Sequence, residues 1–483
     1  METHPQDIRY VILSDLHLGE TISLLTPLDP ETHRADPANT SPVLNHLTDA
    51  LSHLIRQNRG NAKPIFILAG DILGLAYASM TESLQLFEQF VSKLIAPESG
   101  IVDRFVYLPG NHDHHIWEEA RTAVYNAILL SVPPGEALPE MPHATPPLLD
   151  AAMGSVQLQN MVRRIKDGRP GELPVNIDVL YPNLLLTNAS GDRGVVIHHG
   201  HFVEKIYQFM SLAARALFPG KALPETVEQI EKENFAWIDF GWSQLGSSGV
   251  IAKNFEQLSI ILQNEEDTRT HADVLAEQLA NIVKLPFLPF HWLRKIVARR
   301  LVFGMGKLFQ GERHKPGASL AKETLQGLRQ YFFGPTLRQL RETTATIPET
   351  LTFIWGHTHK PYERVLTDAA GRQEVASYNL GGWTVDSHSP KGDLGANILF
   401  LNANLDVVAL RIFNDVSDAA TTPVAIHRPA GKSPGDFDRE IEKRLQKDGT
   451  SAPELADPWR QLSAAIRTEI QRRRQHHREK FGE

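Results

Sequence analysis

An α/β layered core interrupted by a large helical cap insertion is the fold this sequence predicts. Three observations predict it. Short β-branched apolar runs each stop at a polar motif, and helix-patterned stretches alternate with those runs. A long stretch rich in Leu, Ala, Glu, Gln and Arg then separates the last such runs from the earlier ones.

In chain order, residues 8–13 read as a buried strand ending at Ser14-Asp15, and 16–40, with several prolines, as a loop. Residues 43–59 have helical spacing. Residues 64–69 form a second strand, ending at Gly70-Asp71, followed by a helix over 80–96. A third strand, 104–108, ends at Pro109-Gly110-Asn111-His112. Residues 131–182 carry Pro133-Pro134 and Pro146-Pro147 and are expected to be a loop-rich insertion. A short apolar run at 195–197 leads into His198-His199-Gly200. Residues 202–350 read as the helical cap. The core resumes with a strand over 351–355, ending at Gly356-His357, and shorter strands follow near Val365, 374–378, 396–401 and 407–412.

The expected organisation is a first core part over 1–201, the cap over 202–350, a second core part over 351–414 and a polar C-terminal extension over 415–483. Helical stretches are expected near 436–447 and 458–475. Trp459, Leu462, Ile466 and Ile470 share one face of the second, which predicts that it docks. Its basic tip, from Arg472-Arg473-Arg474 to Lys480, is expected to be solvated.

The totals bound the function. A chain of 483 residues exceeds what one compact core usually carries. A hydrophobic content of 42% and a charged content of 22% are those of an ordinary globular protein. A net charge of -8 argues against a general nucleic-acid binder, so nucleic acid is not an expected partner. With no cysteine, disulfides and thiolate sites are excluded, and a metal must be held by nitrogen and oxygen. The polar N-terminus lacks an apolar signal region, and no spanning run of about 18 apolar residues exists. The expected location is cytoplasmic.

The polar motifs, in order, are Asp15-Leu-His17, Gly70-Asp71, Gly110-Asn111-His112-Asp113, His199-Gly200 and Gly356-His357-Thr358-His359. Each begins where an apolar run stops, so the side chains gather on loops at the carboxyl ends of strands. Asp, His, Asp, Asn, His, His and His are a ligand set for two metal ions sharing one carboxylate. Phosphate-ester hydrolysis heads the chemistry such a site performs. On an extended chain Asp15 and His17 would point to one side and serve one ion, whereas His357 and His359 could each serve a different one. A lone Asp-x-His or His-x-His is an ordinary pair; the ordered set is specific.

This pattern resembles the calcineurin-like metallophosphoesterase superfamily over residues 8–201 and 351 to about 412, leaving out the cap and the tail. The resemblance implies a layered sandwich of two packed mixed β-sheets flanked by helices. It implies one ion on Asp15, His17, Asp71 and His359 and another on Asp71, Asn111, His199 and His357, with a metal-bridging hydroxide as nucleophile. His112 would act on the leaving oxygen as a catalytic residue, with Asp113 orienting it. The implied cofactors are two divalent ions, with Mn²⁺ expected and Fe²⁺ or Zn²⁺ as alternatives; no other cofactor is expected.

Gly70-Asp71-Ile72-Leu73-Gly74 departs from the protein-phosphatase branch, which carries Gly-Asp-x-x-Asp-Arg-Gly. The layout is nearer to UDP-2,3-diacylglucosamine pyrophosphatase-like members. These have a helical lid in the same interval and a segment similar to Tyr378-Asn379-Leu380-Gly381-Gly382-Trp383. They differ in carrying Arg in place of His112 and in their shorter lids. The expected partner is therefore a phosphorylated small-molecule or lipid-linked substrate. The basic segment 284–315 alternates Lys284, Arg294, Lys295, Arg299, Arg300, Lys307, Arg313 and Lys315 with apolar side chains, and it is expected to allow peripheral membrane contact. The alternatives are a DNA-repair-type nuclease and a non-catalytic scaffold on the same fold.

Overall fold

The computed structural model describes residues 4–95, 100–167, 175–248, 320–386, 390–415, 424–446 and 456–481, with a few single positions between 273 and 315. The basic segment 284–315 lies outside the described residues except for such positions.

The elements run β1 (Tyr10–Leu13), α1 (Pro42–Ile55), β2 (Ile65–Leu68), α2 (Met80–Leu94), β3 (Arg104–Tyr107), α3 (His114–Ser131), β4 (Met153–Gly154), α4 (Val156–Asp167), β5 (Asn176–Val179), β6 (Asn183–Thr187) and β7 (Arg193–His198). Then come α5 (Phe209–Leu217), α6 (Val227–Ile238), α7 (Lys322–Tyr331), α8 (Leu337–Thr343), β8 (Thr350–Trp355), β9 (Tyr362–Thr367), β10 (Glu374–Asn379), β11 (Lys391–Leu401), β12 (Val407–Asp415), β13 (Ala425–His427), α9 (Asp436–Leu445) and α10 (Asp457–Phe481).

Two mixed sheets result, in the orders β13-β12-β11-β1-β2-β3-β5-β4 and β6-β7-β8-β10-β9. Strands β1, β2, β3 and β5 run parallel, as do β7, β8 and β10. The strands are apolar on both faces because each face has its own core. Ile12, Ile67 and Val106 point between the sheets, where Val195, Ile197 and Ile354 meet them. Their neighbours Val11, Leu13, Phe66, Leu68, Phe105 and Tyr107 pack outward, against α1, α2, α4 and α10. This is the period-two alternation of a strand buried on both sides. Helices from 202–343 cover the outer face of the second sheet. Phe202, Ile230, Leu328, Phe332 and Leu340 share a core with Val196, Phe353 and Trp355.

Two expectations are corrected. Residues 131–182 are not one loop-rich insertion, since they include α4 and the strand β5, which pairs with β3 in the main sheet. The prolines punctuate only the first part. Leu158, Met161, Val162 and Ile165 carry a helical stripe that the prolines masked. At the start of the basic tip, Arg473 and Arg474 are not solvated either. Trp459, Leu462 and Ile466 dock the C-terminal helix into the core, and Arg473 and Arg474 are 3% and 9% exposed. Arg473 donates to the carbonyls of Thr21 and Thr26, and Arg474 pairs with Asp415.

Candidate metal centre

The carboxyl ends of the two parallel strand sets face each other across the sandwich. β1, β2 and β3 deliver Asp15, His17, Asp71 and Asn111, and β7 and β8 deliver His199, His357 and His359. Backbone bonds lock the loops together. Asp15 N donates to Gly70 O (2.9 Å), His17 N to Asp71 O (2.9 Å) and Gly356 N to His199 O (2.6 Å). Asp15 also joins the sheets, since its carboxylate accepts from His357 N at 3.0 and 3.1 Å.

Asp15, His17, Asp71, His357 and His359 all have left-handed backbones, with φ between 49° and 69°. Asp15 and His17 therefore do not meet by extended i, i+2 geometry; the chain has left the strand, and successive tight turns aim them. Each such residue costs about 1–3 kcal/mol unless its surroundings hold it, and such strain gathers at functional sites. Gly70 has φ +90°, and a Cβ there would overlap the His199 ring.

All seven residues expected as ligands come together, and all are buried, His357 being the most exposed at 7%. Asp15, His17 and His359 form one group whose donor atoms lie within 4.8 Å of one another, and Asp71, His199 and His357 form another. Asp71 Oδ2 lies between the groups, 3.2 Å from His199 Nε2 and 3.8 Å from His17 Nε2. Asn111 turns its Oδ1 to His199 Nε2 (3.1 Å), while its Nδ2 donates to Tyr207 Oη at 3.3 Å.

The outer nitrogens show how the rings are protonated. His17 Nδ1 faces Glu20 (3.2 Å), His199 Nδ1 faces Ala69 O (3.0 Å), His357 Nε2 faces Glu204 (2.8 Å) and His359 Nδ1 faces Asp386 (2.7 Å). At His199, His357 and His359 the carbonyl or carboxylate oxygen accepts, so the outer nitrogen carries the hydrogen; His17 Nδ1 is a charge contact only. The inner nitrogens then point lone pairs at one another; His17 Nε2 and His359 Nε2 are 3.1 Å apart. Converging lone pairs and carboxylates, with outer partners fixing each ring, fit divalent cations.

The electrostatics agree. Burial works against charge at Asp71, yet the pull of His199, His112 and His17 holds its carboxyl well below the usual range. Burial also opposes protonation of His199, but Asp71 and Asp15 push it up to about 9; Asp386 and Asp15 do the same to His359. The protein groups alone leave a site that draws in positive charge.

His112 sits beside this cluster, its donor atoms within reach of His17 and Asp71, with Nδ1 2.8 Å from Glu20 Oε1. Asp113 does not orient it, which corrects the expectation. The Asp113 carboxylate accepts from Gly110 N (2.6 Å), Ile72 N (2.7 Å), Asp71 N (3.2 Å) and Tyr107 Oη (2.5 Å). It shapes the Asp71 loop and is fully occupied doing so. Sequence reasoning missed Glu20, Glu204, Asp386 and Tyr207. Only Glu20 had a local signal, as a carboxylate three residues after His17; the others reach the site through the tertiary fold.

Residues 8–222 match the family model described as calcineurin-like phosphoesterase. The chain carries a calcineurin-like phosphoesterase domain. Its two sheets and His/Asp clusters accord with that domain. Two solved structures are similar to it. One is a dimetal phosphatase from Danio rerio, at 12% identity over 84% of this chain and 96% of that one, with a TM-score of 0.28. The other is phosphopantetheinyl hydrolase from Mycobacterium tuberculosis, at 12% identity over 78% and 91%, with a TM-score of 0.23. No curated protein matches in sequence.

Proposed function

We propose that this calcineurin-like phosphoesterase cleaves a phosphoester or pyrophosphate bond in an amphipathic, lipid-linked substrate. The observation that carries the substrate class is an apolar helix starting beside the site. Tyr207, which touches Asn111 and lies edge-on to His357, is followed at once by α5. On and just after α5, Met210, Leu217 and Phe218 are 45%, 75% and 66% exposed. A phosphate held at the centre would leave an attached acyl chain near this surface.

Asp15, His17, Asp71 and His359 would hold one ion and Asp71, Asn111, His199 and His357 the other. Two bound divalent ions, with Mn²⁺ our assignment, supply Lewis acidity and an activated water. Asp71 sets the spacing of the two groups, and Tyr207 fixes which face Asn111 presents. His112, its Nδ1–H held by Glu20, would act as the imidazolium and present Nε2–H to the leaving oxygen. As a water oxygen would bond to phosphorus, the bond to the leaving oxygen would break with its electron pair staying on that oxygen, and the Nε2 proton would move to it, leaving neutral His112.

The basic segment supports membrane contact less directly. Lys295 pairs with Glu277 (2.9 Å) and Arg299 with Asp273 (3.4 Å), which satisfies part of its charge within the chain. Trp292 and Ile296 on the same segment are exposed. Among the described residues no helix is long and apolar enough to cross a membrane.

The test is Mn²⁺-dependent hydrolysis of p-nitrophenyl phosphate, bis-p-nitrophenyl phosphate, a UDP-linked lipid and single-stranded DNA, with Asp71→Asn as control. Preferential turnover of the UDP-lipid supports the reading. Preference for DNA replaces it with the nuclease, and a protein that takes up no metal replaces it with a scaffold.

A further inference from the structure

We propose that Glu20 is a positioning residue shared by the metal centre and the proton carrier, fixing the rings of His17 and His112 with one buried carboxylate oxygen. The inference rests on the functional reading above. Glu20 Oε1 lies 2.8 Å from His112 Nδ1 and 3.2 Å from His17 Nδ1. The three residues are 1%, 2% and 0% exposed, and the two rings meet edge-on with centroids 4.7 Å apart. Glu20 Oε1 accepts from His112 Nδ1–H, and it lies against His17 Nδ1 as a charge contact outside hydrogen-bond geometry. The carboxylate favours a hydrogen on each Nδ1, so that each Nε2 faces inward. In His17 that atom is the unprotonated one aimed at His359 and Asp71; in His112, acting as the imidazolium, it carries the proton for the leaving oxygen. Glu20 Oε2 has no hydrogen-bond partner among the described residues, so the carboxylate is not spent on holding backbone.

The surroundings leave Glu20 little choice of position. Gly74 lies against its side chain, and a Cβ at Gly74 would come within 2.8 Å of Glu20 Oε1 and closer still to Cγ. Glu20 N donates to His17 O (3.0 Å), and Gly19 N donates to Thr26 Oγ1 (2.9 Å). Arg473 of α10 clamps the carbonyls of Thr21 and Thr26 on the same loop. A misplaced Glu20 would disturb a ligand and a proton donor together.

The experiment uses the full chain with Glu20→Gln, Glu20→Ala and Gly74→Ala. Mn²⁺ binding is measured by calorimetry, and kcat and KM are measured on phenyl phosphate and p-nitrophenyl phosphate. Glutamine keeps an accepting oxygen and removes the charge; alanine removes both. Gly74→Ala keeps the glutamate and displaces it. Phenolate leaves poorly and needs a proton, whereas p-nitrophenolate leaves well without one. We expect Glu20→Gln to lower kcat on phenyl phosphate by about 10–100-fold, with a smaller loss on p-nitrophenyl phosphate and little change in KM. Glu20→Ala is expected also to weaken one of the two Mn²⁺ sites by about 10–100-fold. Gly74→Ala should reproduce the leaving-group signature even if Glu20→Ala fails to fold. Wild-type metal affinity together with equal or absent losses on the two esters overturns the inference alone. A wild-type chain that binds no Mn²⁺ overturns the proposed function and this inference with it.

Discussion

The strand-end loops and the segments that brace them supply different things. The loops contribute every inward-facing donor atom: Asp15, His17, Asp71, Asn111, His199, His357 and His359. The braces contribute outer contacts. Glu20 comes from the loop after β1, Tyr207 and Glu204 from the start of the helical insertion, and Asp386 from the stretch after β10. The loops share backbone bonds with one another and sit at strand ends of a packed sandwich. The braces depend on the insertion and tail staying docked; Glu204 also accepts from Glu312 N, and Glu312 in turn pairs with buried Lys360. Loss of a donor should therefore remove function, whereas loss of a brace should grade it.

The sharpest way to break this comparison is Asp71→Asn. With the shared carboxylate neutralised, hydrolysis should fall by orders of magnitude and metal content should drop, while the circular dichroism spectrum is unchanged. Retained activity would deny Asp71 its bridging place. His112→Ala comes next: turnover should slow by roughly 10²–10⁴-fold with both metals still bound. Metal analysis checks this, and a His112→Ala protein short of one ion would move His112 among the ligands.

Glu204→Gln tests a brace. It leaves His357 in place but weakens its outer contact, so Mn²⁺ affinity should fall by about 10–100-fold and excess Mn²⁺ should restore activity. Activity that excess metal cannot restore would mean that Glu204 acts otherwise than through His357.

The smallest effect concerns the tether between α3 and the insertion. His114 is buried, with Nε2 2.6 Å from Glu231 on α6 and Nδ1 3.2 Å from Asp239. Burial opposes its protonation, but these carboxylates push it up to about 9. A histidine raised above its unfolded value stabilises fully below about 6.5, and that contribution is lost as pH rises through about 9. The stability difference between wild type and the His114→Gln/Glu231→Gln pair should therefore shrink across that window, by roughly 3 kcal/mol at most. Denaturant midpoints from pH 6 to 10 would show it; a difference independent of pH would leave the tether uncharged.

The strands that carry ligands were legible because each is a short apolar run closed by a polar motif. The same rule missed β5 and β6. β5 is only Asn-Ile-Asp-Val behind a proline-rich stretch, and its strand character comes from pairing with β3. Helix α3 begins at His114, inside the motif region, so its start reads as part of the site rather than as a helix. At the site, residue types and order were readable and geometry was not. Asp15 and His17 meet through left-handed turns, and Asp113 is drawn off His112 by the backbone amides of the Asp71 loop. The basic tip looked solvated because composition does not show that Arg473 finds carbonyls on a loop some 450 positions away.

By itself the sequence determined the ligand-bearing strand ends, the chemical types gathered there and the helical character of the described residues between His199 and Gly356. These are local properties, written in side-chain pattern within a few residues. The tertiary structure alone decided which nitrogen of each histidine faces inward, which carboxylate braces which ring, and how closely the insertion covers the site. Those depend on partners distant in sequence, because a buried imidazole takes its orientation and tautomer from whatever acceptor the fold brings to its outer edge.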